Sequence, residues 1–72
     1  MNKDALLKKF GKNVKIERIK KDLTREQLAE IMNVSVNYLS GVECGKANMS
    51  LAKILELSKF IDTDISNLLN FE

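Results

Sequence analysis

Apolar residues recur along the chain at the three- and four-residue spacing of helices that bury one face. In the first third of the chain they are Leu6, Leu7, Phe10 and Val14. They predict a helix from about Asp4 to about Lys21. Gly11 lies inside it and costs roughly 1 kcal/mol relative to alanine, so we expect a neighbouring backbone to approach there. Ile16 and Ile19 fall on a different face, which needs a second partner.

Four further helices are predicted, each beginning after a residue whose side-chain oxygen can cap a helix N-terminus. These residues are Thr24, Ser35, Ser50 and Asp64. Thr24 and Gln27 also fit a capping box, in which each side chain serves a backbone N–H of the other residue. The apolar residues of these helices, with Val34 just before the third, are Leu28, Ala29, Met32, Val34, Leu39, Val42, Leu51, Ile54, Leu55, Leu57, Ile65, Leu68 and Leu69.

Asx residues stand where three of these helices should end, at Asp22, Asn33 and Asp62. A residue in the left-handed conformation commonly terminates a helix, and glycine usually supplies it. Asp and Asn are the other residues that tolerate this conformation best. We therefore expect a left-handed residue at each of the three positions.

The chain has 72 residues, 44% of them hydrophobic and 31% charged, with no proline or tryptophan. This composition favours helix, and the length predicts one small domain over residues 1–72. A domain of this size buries only about 60% of its unfolded surface, so its stability margin is thin. Oligomerisation is a common remedy.

The composition excludes several kinds of chemistry. Cys44 is the only cysteine and there is no histidine, so an internal disulfide and a zinc finger are ruled out. There is also no glycine-rich phosphate loop and no evident pair of nucleophile and base, which argues against an enzyme. We expect no cofactor and no small-molecule ligand. No segment resembles a signal peptide or a membrane span, and we expect a soluble protein of a reducing cytoplasm.

Positive charge is concentrated in the N-terminal third. Residues 1–25 contain nine Lys or Arg against three acidic residues, whereas the remainder contains three lysines against seven acidic residues. The excess therefore falls on the first helix and the segments beside it. A solvated lysine face and a patch that faces phosphate groups are equally good interpretations.

The stretch over residues 23–50, LTREQLAEIMNVSVNYLSGVECGKANMS, resembles the helix-turn-helix of the Cro/C1-type (Xre-type) family. FGKNV precedes it on the first helix and DTDISNLL looks like the short fifth helix of the family. The resemblance spans roughly residues 10–69. It implies an all-α, compact five-helix domain of the lambda-repressor type, with the motif at about residues 24–44.

The function implied by the resemblance is that of a sequence-specific DNA-binding transcriptional regulator, a small standalone repressor or controller protein. Its third helix would dock in the major groove of double-stranded DNA. An alternative is a protein-interaction module of the same fold, such as an antitoxin-like partner. The alternative is supported by the third helix, which has no Lys or Arg between Ser35 and Gly45.

The residues that could contact base edges lie at the N-terminal end of the third helix. They are Val36, Asn37, Ser40 and Gly41. Asn37 can pair bidentately with adenine, and Val36 can pack on a thymine methyl group. The family usually has a long polar or basic residue at the position of Gly41, which here could let a base edge approach closely.

The residues that could contact phosphate groups flank this helix. They are Thr24, Arg25, Tyr38, Lys46 and Asn48. The family usually has glutamine at the position of Arg25, and arginine can make the same contact with added charge. The Tyr38 hydroxyl could meet a phosphate, but a ring packed beside the fourth helix is an equal alternative. Lys46 could also be an ordinary surface lysine.

Three further expectations concern structure. Arg18 and Glu43 stand where the family often places an ion pair between the first helix and the end of the third, although two solvated charges are the alternative. Cys44 is expected to be a partly buried small residue. The apolar tail residues Leu68, Leu69 and Phe71 could contact a second copy in a homodimer, which would address two half-sites about 34 Å apart, or they could close the core of the monomer.

Overall fold

The computed structural model describes residues 1–72 and contains five helices and no strand. The helices are α1 (Lys3–Lys20), α2 (Arg25–Met32), α3 (Val36–Glu43), α4 (Leu51–Phe60) and α5 (Ile65–Leu68). The predicted all-α, five-helix architecture is therefore confirmed. All five helices fall short of the length and hydrophobicity that crossing a bilayer would require.

Side-chain caps fix where most of the helices begin. Thr24 and Gln27 form the predicted capping box. Ser35 accepts a hydrogen bond from the Tyr38 N–H at 2.9 Å, and Ser50 accepts one from Lys53. The first helix begins after Asn2, whose side chain accepts from Ala5. Asp64 precedes α5 as expected, but its side chain makes no capping hydrogen bond.

Three helices end at left-handed Asx residues. The φ angles of Asp22, Asn33 and Asp62 are 57°, 57° and 49°, which confirms the prediction for all three positions. Gly45, with φ 78°, is a fourth left-handed residue and follows the end of α3. The chain thus turns sharply after α1, α2, α3 and α4.

One hydrophobic core joins the five helices. It consists of Phe10, Val14, Leu28, Ala29, Met32, Leu39, Val42, Ile54, Leu57, Ile61 and Leu68. Two apolar residues of α4 lie outside it, since Leu51 is 73% exposed and Leu55 is 44% exposed. A helix of ten residues packed on one side of a small bundle buries only one face, and Ile54 and Leu57 occupy that face.

The close backbone approach expected at Gly11 is present. A Cβ atom at this position would overlap the carbonyl oxygen of Val42 and lie 2.7 Å from that of Glu43. Gly45 makes a second contact of the same kind, because a Cβ there would lie 2.8 Å from the Cα of Lys8. Both contacts seat α1 directly on the C-terminal end of α3.

The C-terminal tail is fastened to α1 by hydrogen bonds. The Asn13 amide donates to the carbonyl oxygens of Leu68 at 3.0 Å and Asn70 at 2.7 Å. The Lys9 ammonium donates to the Phe71 carbonyl at 3.1 Å. Leu68 itself is fully buried. It closes the core of the monomer, so its expected role as a contact to a second copy is wrong.

Ile16 and Ile19 are only partly covered within the chain. Ile16 lines a groove with the tail residues Asn70 and Phe71 and remains 38% exposed, whereas Ile19 is 54% exposed. The need of this face for a second partner therefore stays a prediction.

A buried carboxylate joins α1 to the turn between α4 and α5. Glu17 accepts a hydrogen bond from the Thr63 hydroxyl at 2.8 Å and one from the Lys20 ammonium at 3.1 Å. The Thr63 hydrogen bond is the main reason that the pKa of Glu17 lies below its usual value, and Lys20 adds to the effect against the cost of burial. Asn67 donates in turn to the Thr63 hydroxyl.

Candidate nucleic-acid interface

A tight turn of three residues connects α2 to α3. The left-handed Asn33 ends α2, the N–H of Val34 donates to the Ala29 carbonyl at 3.0 Å, and Ser35 caps α3. Val34 is half-buried against the core. Local hydrogen bonds and one apolar contact therefore fix the angle between the two helices, which is the geometry of a helix-turn-helix.

The N-terminal part of α3 faces solvent on one side and the core on the other. Leu39 and Val42 are fully buried, whereas Val36 is 37% exposed and Asn37 is exposed. Ser40 is half-buried. The exposed side therefore offers an apolar surface, an amide and a hydroxyl, which are groups that can match a thymine methyl and base edges in the major groove. A role in base contact remains a prediction for each of these residues.

Packing within the chain explains why position 41 carries a glycine. A Cβ atom here would lie 3.3 Å from the Cβ of Ala47, so the missing side chain makes room for the loop that follows α3. The Gly41 carbonyl also accepts hydrogen bonds from the N–H groups of Lys46 at 2.8 Å and Ala47 at 3.2 Å. The glycine is explained by this loop, and base contact through it stays a prediction.

Tyr38 uses its hydroxyl within the chain. The hydroxyl donates to the Asn48 carbonyl at 3.1 Å, and the ring is half-buried against the core. A hydroxyl has one proton, so the Tyr38 hydroxyl cannot donate to a phosphate while this bond exists. The predicted phosphate contact is therefore replaced by a role in holding the loop beside α3.

The loop of residues 44–50 presents two of the predicted phosphate contacts. Lys46 and Asn48 are both exposed. The Lys46 N–H donates to the Gly41 carbonyl and the Asn48 carbonyl accepts from the Tyr38 hydroxyl, which fixes the backbone of the loop at both residues. Cys44 is exposed as well, which corrects the expectation of a partly buried residue. It is the C-cap residue of α3.

Arg18 and Glu43 form a buried ion pair between α1 and the end of α3. The Nε of Arg18 donates to Glu43 Oε2 at 2.8 Å and a terminal nitrogen donates to Oε1 at 3.1 Å. The side chains are 9% and 1% exposed. A third Arg18 nitrogen donates to the Leu23 carbonyl. Removing either partner of such a pair costs about 3–5 kcal/mol, so α3 is held firmly on α1.

Arg25 is a third member of this cluster, which sequence reasoning did not foresee. Its Nε donates to Glu43 Oε1 at 3.2 Å, and its side chain is 34% exposed. Arg25 is the first residue of α2. The helix spacing of residues 18, 25 and 43 gives no signal for the contact, because it depends on how three separate helices pack.

Thr24 stands beside Arg25 at the start of α2. Its hydroxyl oxygen accepts from the Gln27 N–H, and its own N–H donates to the Gln27 side chain. The first N–H groups of a helix have no acceptor within it, so those of Arg25 and Glu26 remain available to an anion. With the N-terminal end of the helix dipole, this corner of the domain suits a phosphate.

The chain is similar to a known family of proteins and to a control protein. A family model described as helix-turn-helix matches residues 14–68. Control protein C.SmaI of Serratia marcescens is 34% identical over 60 residues, which cover 83% of this chain and 71% of that protein.

Two solved structures have the same fold. The restriction-modification controller protein C.AhdI from Aeromonas hydrophila superposes with a TM-score of 0.80 and 37% identity, over 86% of this chain and 94% of that one. The hypothetical transcription factor NHTF from Neisseria superposes with a TM-score of 0.83 and 23% identity, over 97% and 80% of the two chains. The family match, the relatives and the α2–α3 geometry agree, and the chain belongs to the Cro/C1-type helix-turn-helix family.

Proposed function

We propose that this protein is a sequence-specific DNA-binding transcriptional regulator that inserts α3 into the major groove. The observation that supports this most strongly is the division of α3 into two sides. Leu39 and Val42 anchor it in the core, while Val36 and Asn37 at its N-terminal end stay exposed. In helix-turn-helix proteins this end of the second motif helix contacts base edges.

The class of regulator is suggested by the relatives. C.AhdI is a restriction-modification controller protein and C.SmaI is a control protein. We infer that this chain likewise controls transcription in a restriction-modification system. Binding at an operator would block or assist RNA polymerase, and the protein would act in the cytoplasm, where such an operator lies.

Phosphate contacts would set the register of α3 in the groove. Arg25 and the free N–H groups at the start of α2 precede α3 in the chain, and the exposed residues Lys46 and Asn48 follow it. Such contacts position a protein on the duplex without distinguishing sequences. Recognition of bases then depends on amide, hydroxyl and apolar contacts, since α3 has no Lys or Arg.

A homodimer would let the protein address both halves of a palindrome. The surface that suits this contact is an apolar groove of about 310 Å³ between α1, the start of α4 and the tail. Its lining includes Leu6, Leu7, Met49, Leu51, Leu69 and Phe71. The groove adjoins the loop of residues 44–50, since Asn48 and Met49 also line it.

The dimensions of the domain are compatible with such a pair. The domain measures 31 × 24 × 21 Å, and half-sites lie about 34 Å apart. Two copies that meet side by side would therefore span a distance similar to the spacing of two half-sites. Burying Leu51 would also remove the most exposed leucine of the chain from water.

The protein-interaction module remains the second candidate because α3 has no Lys or Arg. Selection of bound duplexes from random DNA distinguishes the two functions. The regulator should enrich one palindromic sequence, and its affinity for that duplex should fall steeply as salt is raised. Failure to enrich any sequence, together with no retention of duplex at low salt, would contradict DNA binding and favour the module.

A further inference from the structure

The cluster of Arg18, Glu43 and Arg25 contains two guanidinium groups and one carboxylate. Glu43 is 1% exposed in its side chain, and Arg18 uses three of its nitrogens within the chain. All three guanidinium nitrogens of Arg18 are therefore used by contacts inside the protein. The positive charge that Glu43 does not neutralise resides on Arg25, at the surface and at the N-terminus of α2.

The Arg25 guanidinium is hydrogen-bonded within the chain through one of its three nitrogens only. Its Nε donates to Glu43 Oε1 at 3.2 Å, whereas its two terminal nitrogens make no hydrogen bond within the chain. A guanidinium is planar and rigid, so fixing Nε limits the directions in which the terminal nitrogens can point. These nitrogens present the paired donors that match the oxygens of a phosphate group.

We propose that Glu43 is a positioning residue for DNA binding, which holds Arg25 by its Nε so that the terminal nitrogens bind a backbone phosphate. This inference rests on the proposed function. It identifies the Glu43–Arg25 contact as the one that sets the register of α3 on the duplex. Glu43 is the last residue of α3, so one carboxylate connects the helix that contacts bases with the arginine that contacts phosphate.

Arg25→Lys keeps the positive charge but changes the arrangement of the donors. It therefore distinguishes the effect of positioning on affinity from the effect of charge. A lysine ammonium carries its donors on a single nitrogen, so pairing it with Glu43 leaves no planar pair of donors held toward a phosphate. Arg25→Lys should therefore bind the selected duplex about tenfold more weakly than the unaltered protein, as Arg25→Gln should. Both variants should reduce the slope of log affinity against log salt by about 0.9, the value for one phosphate contact.

Lys59→Arg is the matched control. Lys59 is exposed in the last turn of α4 and its ammonium makes no hydrogen bond or ion pair in the chain, so exchanging one cation for the other there should change affinity less than twofold. If Arg25→Lys instead retains full affinity and slope while Arg25→Gln loses both, charge alone suffices and the positioning role is overturned. Thermal unfolding of each variant shows that the fold is retained. Substituting Glu43 itself is avoided because that would leave the buried Arg18 unpaired.

A second measurement needs no DNA. The chain has two arginines, so its ¹H–¹⁵N spectrum contains two Nε–Hε signals. Both should be rigid and slow to exchange with water, although Arg25 is partly exposed. A mobile, fast-exchanging Arg25 signal would overturn the inference. Absence of duplex binding by the unaltered protein would instead overturn the proposed function, and the Arg25 signal would still decide whether Glu43 holds the side chain.

Discussion

At the scale of single residues, Gly11 shows how an absent side chain sets the angle between two helices. The Cβ of any other residue would meet backbone carbonyls of Val42 and Glu43, and backbone atoms cannot rotate away as a side-chain tip can. The sequence indicated this contact because a glycine inside a helix is costly unless something approaches it. It could not indicate that the approaching segment is the end of α3.

Gly11→Ala should destabilise the domain by about 1–3 kcal/mol, even after the gain in helix propensity, because α3 must move away from α1. Gly41→Ala is the matched control. Its new Cβ meets only the Ala47 methyl at 3.3 Å, so a small shift of the loop relieves the contact and the loss should stay below about 1 kcal/mol. Chemical denaturation measures both, and equal losses would contradict the account.

Glu17 makes stability depend on pH. Its pKa is lowered in the folded protein, chiefly by the hydrogen bond from the Thr63 hydroxyl. The folded state therefore favours the ionised carboxylate of Glu17. This contribution is fully present above the pKa in the unfolded chain, about 4.3, and is lost as pH falls through the lower folded pKa.

Thr63→Val should therefore cost about 1–2 kcal/mol near neutral pH, and the difference from the unaltered protein should shrink in acid. Thr63→Ser keeps the hydroxyl and is the control, for which we expect the pH dependence to be retained. Denaturation at a series of pH values tests this. A difference between Thr63→Val and the unaltered protein that stays constant into acid would rule out the Glu17 contribution.

At the scale of elements, the sequence predicted most features that depend on local interactions, with the exception of the capping hydrogen bond expected from Asp64. The starts of α2, α3 and α4 follow from hydroxyl caps, and three helix ends follow from Asx residues that tolerate positive φ. The exposure of Leu51 and Leu55 could not be predicted in this way. Helical spacing shows which residues share a face, but which faces meet a neighbour depends on the packing of the whole bundle.

Substitutions of Asn33 test whether a residue that tolerates positive φ is needed in the turn between α2 and α3. With φ 57°, this position tolerates glycine best, so Asn33→Gly should leave the free energy of unfolding nearly unchanged. Asn33→Ala places an unfavourable residue in the left-handed region and should cost about 1 kcal/mol. Denaturant titration of the two variants gives the comparison. An alanine variant as stable as the glycine variant would show that backbone conformation does not limit this turn.

At the scale of the whole molecule, the interface could be predicted only in outline. Helix order and motif placement predicted where α2 and α3 lie, and most exposed candidates lie on or beside α3. The Tyr38 hydroxyl and the Leu68 side chain instead make contacts within the chain, with the Asn48 carbonyl and the core respectively. Both of these contacts join residues whose proximity no local pattern indicates. The pairing of Arg25 with Glu43 was missed for the same reason.

The proposed dimer can be tested with two apolar surface residues. Leu51→Glu should convert a dimer to a monomer in sedimentation experiments and weaken binding to the palindrome, because it places a charge in the apolar groove. Ile19→Glu is the control. Ile19 is also exposed but lies about 18 Å along α1 from the groove residue Leu7. Dissociation by both substitutions, or by neither, would contradict the assignment of the groove.

The most direct test of the central claim, that α3 contacts bases in the major groove, compares Asn37→Ala with Lys46→Ala on the selected palindrome and on unrelated duplexes. Asn37→Ala should lose about 1–3 kcal/mol of binding free energy on the palindrome and almost none on unrelated DNA. Lys46→Ala should weaken binding to all duplexes alike and lower the salt slope by about 1. An Asn37→Ala variant that weakens every duplex equally, or none, would contradict the claim.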